Sequence, residues 1–276
     1  MIDFKNFRLS LKQKFKQNGL DSKEVDLIIC EVLKVDFSRL ILLEKISLHS
    51  YLKISGIVRQ RLKNKPLTKI FHKAYFYGLD FYVNNDVLSP RQETEILVEN
   101  ALKFIKNDNL KVLDLCTGSG AIAISIAKNS NAKVFASDIS PKALKVAKLN
   151  AKLNSADVKF IKSDLLDNID EKFDIIISNP PYIETETIAS LDKEVKCYDP
   201  ILALDGGADG LRFYKKIIEK IDNYLLENGK ILFEIGYNQQ ESVNLLLKQK
   251  GFDTICIKDY SGLPRVVIGK KESYVR

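Results

Sequence analysis

The chain has few of the residues that build common metal and catalytic sites. Among its 276 residues there are only two histidines, His49 and His72, which leaves little material for a histidine-based metal site or a catalytic triad. The four cysteines include no Cys-x-x-Cys pair, so the sequence suggests neither a zinc site nor a disulfide framework. No metal ion is therefore expected.

Long apolar segments are also missing. No apolar run approaches the ~20 residues that a membrane-spanning helix needs, and the first residues carry no apolar segment of the signal-peptide type. Hydrophobic residues make up 45% of the chain and charged residues 29%, which is ordinary for a globular protein. These features predict a reduced, cytoplasmic protein that does not associate with membranes.

The positive charge is concentrated in the first quarter of the chain. Residues 1–72 contain 15 Lys/Arg and 7 Asp/Glu, a net charge of +8, whereas residues 73–276 contain 28 basic and 29 acidic side chains. Composition alone does not distinguish a solvated lysine-rich surface from a docking face for an acidic partner or a nucleic acid.

Residues 1–72 have the apolar spacing of short helices. Phe4, Phe7, Leu11 and Phe15 recur at steps of three and four residues before Gly19. Further helix starts are predicted at Asp21 or Ser22, at Asp36 and at Ser47. Four short helices would form a small bundle domain over residues 1–72.

Beyond this bundle the apolar period changes to two. Alternation from Tyr75 to Val83, followed by Asn84-Asn85-Asp86, predicts a β-hairpin with its turn at the asparagines. We expect residues 73–90 to link two domains.

Residues 91–276 alternate between predicted strands and helices, as in a mainly parallel sheet covered on both faces. Strands are predicted at Lys111–Leu115, Lys133–Ser137, Val158–Lys162, Phe173–Ser178, Lys230–Ile235, Thr254–Lys258 and Val266–Gly269. Helices are predicted near Glu93–Ile105, Ala121–Lys128, Pro141–Leu153, Leu211–Leu226 and Gln239–Lys250. The last two strands are close in sequence and predict a hairpin at the sheet edge.

The most informative segment is Asn179-Pro180-Pro181-Tyr182, directly after the strand Phe173–Ser178. Two prolines cannot continue a strand ladder, so the tetrapeptide forms a rigid turn at the carboxyl end, where such sheets bind ligands. The Asn179 side-chain oxygen and the Pro180 carbonyl are two acceptors that suit one planar –NH2 group, and Tyr182 offers a flat face to it. The alternative is a plain loop connector, because Asn-Pro is a common turn signal.

A second set of residues predicts a cofactor site. Gly118 and Gly120 allow a tight turn between the first strand and its helix, a pattern that also fits dinucleotide binding. Asp138 ends the second strand, where it can accept hydrogen bonds from ribose hydroxyls or merely cap a helix. Asp164 could accept an adenine amino group, with Leu165 against the ring, or lie in a surface turn.

Together these features are typical of a class I S-adenosylmethionine methyltransferase. The combination is an aspartate in the first strand, a Gly-x-Gly turn, an acid ending the second strand and an amide-binding turn after the fourth. A NAD-dependent dehydrogenase would leave the Asn-Pro-Pro-Tyr turn unexplained. The fold class expected is thus a Rossmann-like seven-stranded, mostly parallel sheet joined to a helical bundle.

The sequence also resembles the bacterial peptide chain release factor glutamine methyltransferases, the PrmC/HemK family, over essentially its whole length. The motifs that carry the resemblance are Pro90-Arg91-Gln92-Glu93-Thr94-Glu95, Leu113-Asp114-Leu115-Cys116-Thr117-Gly118-Ser119-Gly120, Asn179-Pro180-Pro181-Tyr182, Leu204-Asp205-Gly206-Gly207-Ala208-Asp209-Gly210-Leu211 and Asp259-Tyr260-Ser261-Gly262. The Gly-Gly-x-Asp-Gly-Leu run is the most family-specific of them.

The resemblance implies methylation of the glutamine side-chain amide in the Gly-Gly-Gln motif of class I release factors. It implies substrate contacts from Asn179, Pro180, Pro181, Tyr182 and Arg91, and S-adenosylmethionine contacts from Asp114, Cys116, Thr117, Gly118, Ser119, Gly120, Asp138, Asp164, Leu165 and Asn179. It also implies that the N-terminal bundle binds the release factor. The protein is expected to be a monomer that requires neither a membrane nor a nucleic acid.

Two other functions remain open at this point. An adenine N6 or cytosine N4 methyltransferase would need the same turn and could use the basic N-terminal residues for phosphates. No target-recognition domain is evident, however. A catalytically silent scaffold would have no need of the complete set Asn179, Gly118, Gly120 and Asp138.

Overall fold

A computed structural model describes residues 1–271 of the chain. The chain divides into two compact units, Met1–His72 and Lys73–Arg276. The predicted methyltransferase domain extends to residue 276, and residues 272–276 lie outside the described part. Within residues 1–271 no helix combines the length and the apolar character that are needed to cross a membrane.

The first unit is built from helices around one apolar core. Its elements are α1 (Phe4–Gln17), α2 (Lys23–Leu33), α3 (Phe37–Leu40), α4 (Leu48–Arg61) and α5 (Leu67–Phe71), with β1 (Ile2–Asp3) paired antiparallel to β2 (Lys45–Ile46). Phe4, Phe15, Ile28 and Ile54 are buried in this core. The four predicted helices are present, but α5 and the β1–β2 pair were not predicted because such short segments show no clear periodicity.

Ion pairs between charged side chains connect the helices of this unit. Arg8 on α1 donates to both oxygens of Asp26 on α2, at 2.7 and 2.8 Å, and Lys12 Nζ lies 2.6 Å from the same carboxylate. Burial raises the pKa of Asp26, but the hydrogen bonds from Arg8 and Lys12 outweigh it and hold the pKa below its usual value. Arg61 on α4 likewise donates to Glu24 on α2 at 2.5 and 3.0 Å.

The second unit begins with a β-hairpin whose turn differs from the prediction. β3 (Lys73–Phe76) pairs antiparallel with β4 (Leu79–Tyr82), and the chain reverses at Tyr77 and Gly78, with φ of 50° and 74°. Two central residues with positive φ fit a type I′ hairpin turn. The predicted hairpin is confirmed, but it reverses at Tyr77-Gly78 and not at Asn84-Asn85-Asp86, where the chain makes a separate turn and the Asp86 N–H donates to Asn84 Oδ1 at 3.0 Å. The apolar alternation continues across the two-residue turn, so it does not mark where the hairpin reverses. The hairpin is part of the second unit.

A seven-stranded sheet forms the centre of this unit. Its strands are β5 (Lys111–Leu115), β6 (Lys133–Asp138), β7 (Lys159–Lys162), β8 (Phe173–Ser178), β11 (Leu225–Glu234), β12 (Phe252–Lys258) and β13 (Pro264–Lys271). Their spatial order is β12-β13-β11-β8-β5-β6-β7, with β13 antiparallel to both neighbours and the other pairings parallel. The predicted mostly parallel sheet with a terminal hairpin at its edge is confirmed.

Helices cover both faces of the sheet, and each face has its own apolar cluster. They are α6 (Glu95–Leu102), α7 (Ala121–Asn129), α8 (Pro141–Leu153), α9 (Lys193–Tyr198), α10 (Arg212–Lys220) and α11 (Gln240–Gln249). The predicted helix Leu211–Leu226 is too long, since a 3-10 turn at Ile221–Asn223 intervenes before β11. Between β8 and α10 the chain adds α9 and a short parallel pair, β9 (Ile183–Glu184) with β10 (Asp205–Gly207), none of which was predicted.

Candidate active site

A cavity of about 520 Å³ lies at the carboxyl ends of the sheet strands. Segments that follow four strands in turn supply its wall: Cys116–Ser119 after β5, Ser137–Ser140 at β6, Ser163–Leu165 after β7, and Asn179 with Pro181 after β8. Parallel strands end at the same edge of a sheet, so residues distant in sequence converge here. The size is in the range of small-molecule pockets, which is roughly 300–1,000 Å³.

The turn after β5 is held by short-range hydrogen bonds. The Thr117 hydroxyl donates to Asp114 Oδ2 at 2.6 Å, and the Ala123 N–H donates to the same oxygen at 3.2 Å. Gly120 has φ of 83°, and a Cβ there would lie 2.9 Å from Ile124 and 3.1 Å from Ala147. Glycine is therefore required at this position both by the backbone conformation and by the close approach of α8 to α7.

Asp138 connects this turn to β6. Its Oδ2 accepts the Gly118 N–H at 2.9 Å and its Oδ1 accepts the Ser140 N–H at 2.8 Å. Burial raises the pKa of Asp138, while these backbone donors act in the opposite direction. A carboxylate offers about four lone-pair sites, so the side chain can still accept hydrogen bonds from a ligand.

Asn150 of α8 forms hydrogen bonds both to the hairpin strand β4 and to the glycine turn after β5. Asn150 accepts the Tyr82 N–H at 2.7 Å and donates to the carbonyls of Tyr82 and Ser119 at 3.0 and 2.9 Å. This fully buried amide thus positions both the hairpin and the glycine turn.

Residues of the predicted turn after β8 line two cavities. Asn179 and Arg91 line the 520 Å³ cavity and also a second one of about 20 Å³, which Pro180 and Tyr182 line as well. The Asn179 Nδ2 group donates to the Thr94 hydroxyl at 3.4 Å. Burial raises the pKa of Tyr182 to about 12, so its phenol stays protonated near neutral pH.

Residues far along the chain support the backbone of Tyr182. The Gln239 amide donates to the carbonyls of Tyr182 and Gly210, at 2.9 and 3.3 Å. A Cβ on Gly206 would lie 2.7 Å from the Tyr182 Cα, and one on Gly210 would lie 2.4 Å from the Tyr182 oxygen. The family-specific glycine run, which contains Gly206 and Gly210, therefore packs directly on the turn. This run was recognised as a motif in the sequence, but its contact with the turn was not predicted.

Glu234, at the end of β11, is a further buried group that sequence analysis missed. The register pairs Phe233 with Ser178, which brings Glu234 beside the turn, and its side chain lines the smaller cavity. Burial raises the pKa of Glu234 to about 7, against a hydrogen bond from Thr94 and the charges of Arg265 and Arg91. In the sequence, the signal that could have identified Glu234 is a charged residue among the apolar residues at the end of β11.

Most of the predicted site residues meet in one region. The larger cavity is lined by Arg91, Cys116, Thr117, Gly118, Ser119, Asp138, Asp164, Leu165, Asn179 and Pro181, and the smaller one by Arg91, Asn179, Pro180 and Tyr182. Asp114 and Gly120 are not among the lining residues. Asp114 lies behind the turn, fully buried, and Gly120 lies at the start of α7.

Comparisons with known proteins agree with this architecture. A family model described as the methyltransferase small domain matches residues 91–194. A methyltransferase from Pyrococcus furiosus has a similar fold, with a TM-score of 0.57 and 21% identity over 78% of this chain and 99% of that one. At this identity the similarity concerns the fold alone.

Two curated relatives match almost end to end. A release factor glutamine methyltransferase of Thermodesulfovibrio yellowstonii is 43% identical over 266 residues, which cover 94% of this chain and 94% of the relative. One from Clostridium botulinum is 41% identical over 270 residues, covering 93% of this chain and 95% of the relative. At this identity and coverage, the chain belongs to the release factor glutamine methyltransferase family and is an enzyme with a class I methyltransferase domain.

Proposed function

We propose that the protein transfers a methyl group from S-adenosylmethionine to the side-chain amide nitrogen of the glutamine in the Gly-Gly-Gln motif of class I release factors. The observation that carries the proposal is the position of Asn179, which lines both the larger cavity and the smaller one. The names of the relatives support a release factor glutamine as the substrate.

The larger cavity fits the cofactor. Gly118 has φ of 55°, and a Cβ there would meet nothing within 4 Å, so the backbone is open to a ligand. Asp138 retains acceptor capacity for ribose hydroxyls after binding two backbone N–H groups. Leu165, half-buried in the lining with φ of 50°, offers an apolar surface to an adenine ring. When bound, the cofactor supplies a methyl group already activated on a positively charged sulfur.

The turn residues orient the amide. Asn179 Oδ1 and the Pro180 carbonyl accept its two N–H groups, Pro181 restricts the movement of that carbonyl, and Tyr182 packs against the plane of the amide. Holding both hydrogens from one side favours the tetrahedral nitrogen of the transition state and aligns it with the methyl group. No histidine lines either cavity in the described chain, which is consistent with a product that loses its proton to solvent.

The helical unit of residues 1–72 binds the release factor in this proposal. Its net charge of +8 and its exposed apolar side chains support this role, among them Ile41 and Leu42, which are 74% and 79% exposed. Replacing both by serine should raise the KM for the release factor about tenfold, the equivalent of two lost apolar anchors at an interface. The Kd for S-adenosylmethionine should not change, and an unchanged KM would contradict the docking role.

The test of the reaction is transfer of a labelled methyl group from S-adenosylmethionine. Three acceptors are offered in parallel: a class I release factor, its Gln→Ala variant at the Gly-Gly-Gln motif, and duplex DNA. Label on the unmodified release factor alone is expected. Label on DNA would favour the nucleic-acid alternative, and label on the Gln→Ala variant would reject the glutamine as acceptor.

A further inference from the structure

Helix α10 contributes to the wall of the larger cavity as well as to the core. Tyr214, Ile217 and Ile218 are buried in the apolar cluster on one face of the sheet. Phe213 and Lys216 lie on an adjacent side of the helix and line the 520 Å³ cavity. A helix that only packed on the sheet and faced solvent would need a single apolar stripe, so this second set of residues belongs to the cavity.

Phe213 is an aromatic side chain outside the core. It is half-buried and belongs to none of the apolar clusters formed by residues 1–271. The Arg212 guanidinium carbon lies 5.7 Å from the centre of its ring, within the range of a cation–π contact. Aromatic side chains contribute most when their large apolar surface is covered. Phe213 therefore has ring surface available to a ligand in the cavity.

The side of α10 that carries Phe213 faces the turn after β7. Lys220 follows Phe213 by about two helical turns and so lies on the same side of the helix, and its Nζ lies 2.7 Å from Asp167 Oδ1. The Asp167 N–H donates to the Asp164 carbonyl at 3.1 Å, so one tight turn contains both aspartates and Leu165. Leu165 also packs against the same apolar cluster as α10. Two separate contacts thus bring α10 next to the residues that the proposed function assigns to adenine.

These residues do not include an aromatic side chain. Leu165 is aliphatic, and among residues 1–271 Phe213 is the only aromatic residue that lines the larger cavity. We propose that Phe213 packs its ring against the adenine ring of the bound cofactor. The inference rests on the proposed function and deepens it, because it adds a contact from α10 to a site otherwise formed by the strand ends.

The charged residues beside Phe213 also suit a nucleoside. Arg212 and Lys216 are exposed and line the same cavity, and both side chains carry only hydrogen-bond donors. The ring nitrogens of adenine and the ribose oxygens are acceptors. The alternative ligand for Phe213 is the substrate peptide, but the turn that orients the substrate amide has an aromatic residue of its own, Tyr182, which lines the smaller cavity.

The test measures binding of S-adenosylmethionine and of 5′-methylthioadenosine by calorimetry, without release factor. The second ligand contains the adenosyl group but not the amino-acid part, so its affinity reports the adenosyl contacts alone. The full chain is compared with Phe213→Leu, which removes the aromatic ring but keeps an apolar side chain, and with Phe213→Tyr, which keeps the ring. Phe37→Leu, at a 52% exposed phenylalanine of the helical unit, is the matched control. Thermal unfolding checks that each variant is folded.

In Phe213→Leu the Kd for both ligands should rise about fivefold, because aromatic stacking on the base is lost. Phe213→Tyr and Phe37→Leu should stay within about twofold of the wild type. The adenine H2 and H8 resonances of bound 5′-methylthioadenosine should be shielded by the ring in the wild type and in Phe213→Tyr, and should lose this shielding in Phe213→Leu.

Unchanged affinities and adenine resonances in Phe213→Leu would overturn the inference. So would a rise confined to the KM for the release factor, which would place Phe213 on the substrate side. If the wild-type protein binds both ligands as expected but transfers no methyl group to the release factor, the proposed function fails, while the binding data still decide the inference.

Discussion

The cofactor side and the turn side of the candidate site each contain a threonine and a buried carboxyl group, but the residues involved lie at very different distances in sequence. On the cofactor side, the Thr117 hydroxyl donates to buried Asp114, three residues earlier. On the turn side, the Thr94 hydroxyl accepts a hydrogen bond from Asn179 Nδ2 at 3.4 Å, and buried Glu234 lines the smaller cavity together with Asn179. Each carboxyl has one buried oxygen without a partner among residues 1–271, and burial raises both pKa values to about 7.

The difference lies in what each arrangement depends on. The pair at β5 is formed by one strand and the turn that follows it, so a single sequence motif specifies it. Asn179, Thr94 and Glu234 come together only when β11 lies beside β8 and α6 starts at the right place. Substitutions on the cofactor side should therefore change ligand affinity, whereas those on the turn side should change the transfer step.

The largest effect is expected at Asn179. In Asn179→Ala the acceptor for the substrate amide is lost, and kcat should fall about 10³-fold, as on removal of one group from an oxyanion hole. The Kd for S-adenosylmethionine, measured by calorimetry, should change less than about threefold because the glycine turn is untouched. Asn131→Ala, at an exposed asparagine, is the matched control. Equal losses of affinity and transfer would show that the two sides are not separable.

The second effect concerns stability against pH at Glu234. The pKa of Glu234 in the folded protein, about 7, exceeds its ordinary value of 4.5. Between these values the folded state binds more protons than the unfolded state, so stability falls as pH rises. The full interval corresponds to about 3 kcal/mol. Urea unfolding from pH 4.5 to pH 8 should show a weaker decline in Glu234→Gln than in the wild type. Asp114 contributes in the same direction to both proteins, so the difference isolates Glu234, and parallel curves would argue against its buried ionisation.

Local patterns in the sequence account for much of the fold but not for the support of the turn. The strand Phe173–Ser178 and the helix Pro141–Leu153 were predicted with their observed ends, because an apolar run and a Ser-Pro helix start are local signals. The contacts of Gln239 and Glu234 with the turn were not predicted, since they depend on strand order and register. No short-range pattern encodes which strand lies beside which.

A third and smaller effect tests the cofactor side. Asp138→Ala removes the acceptor for Gly118 and Ser140, and with it the expected contact to the ribose hydroxyls. The Kd for S-adenosylmethionine should rise about 10- to 100-fold, the range of one or two hydrogen bonds to a charged group. Saturating cofactor should restore much of the methyl transfer. Asp170→Ala, at an exposed aspartate, serves as the control, and a kcat that stays low at saturation would assign Asp138 to the transfer step instead.

The smallest effect tests whether remote packing holds the turn. Gly206 has no positive φ, so Gly206→Ala adds only a methyl group, 2.7 Å from the Tyr182 Cα. Backbone atoms must shift to admit it, and stability should fall by about 1–2 kcal/mol, with a lower kcat and an unchanged cofactor Kd. Gly56→Ala is the matched control, since a Cβ there meets nothing within 4 Å and α4 should gain up to about 1 kcal/mol. If Gly206→Ala weakens cofactor binding as much as methyl transfer, the glycine run supports both sides of the site. The cofactor side would then not depend on local contacts alone, and the contrast with a turn supported by residues distant in sequence would no longer hold.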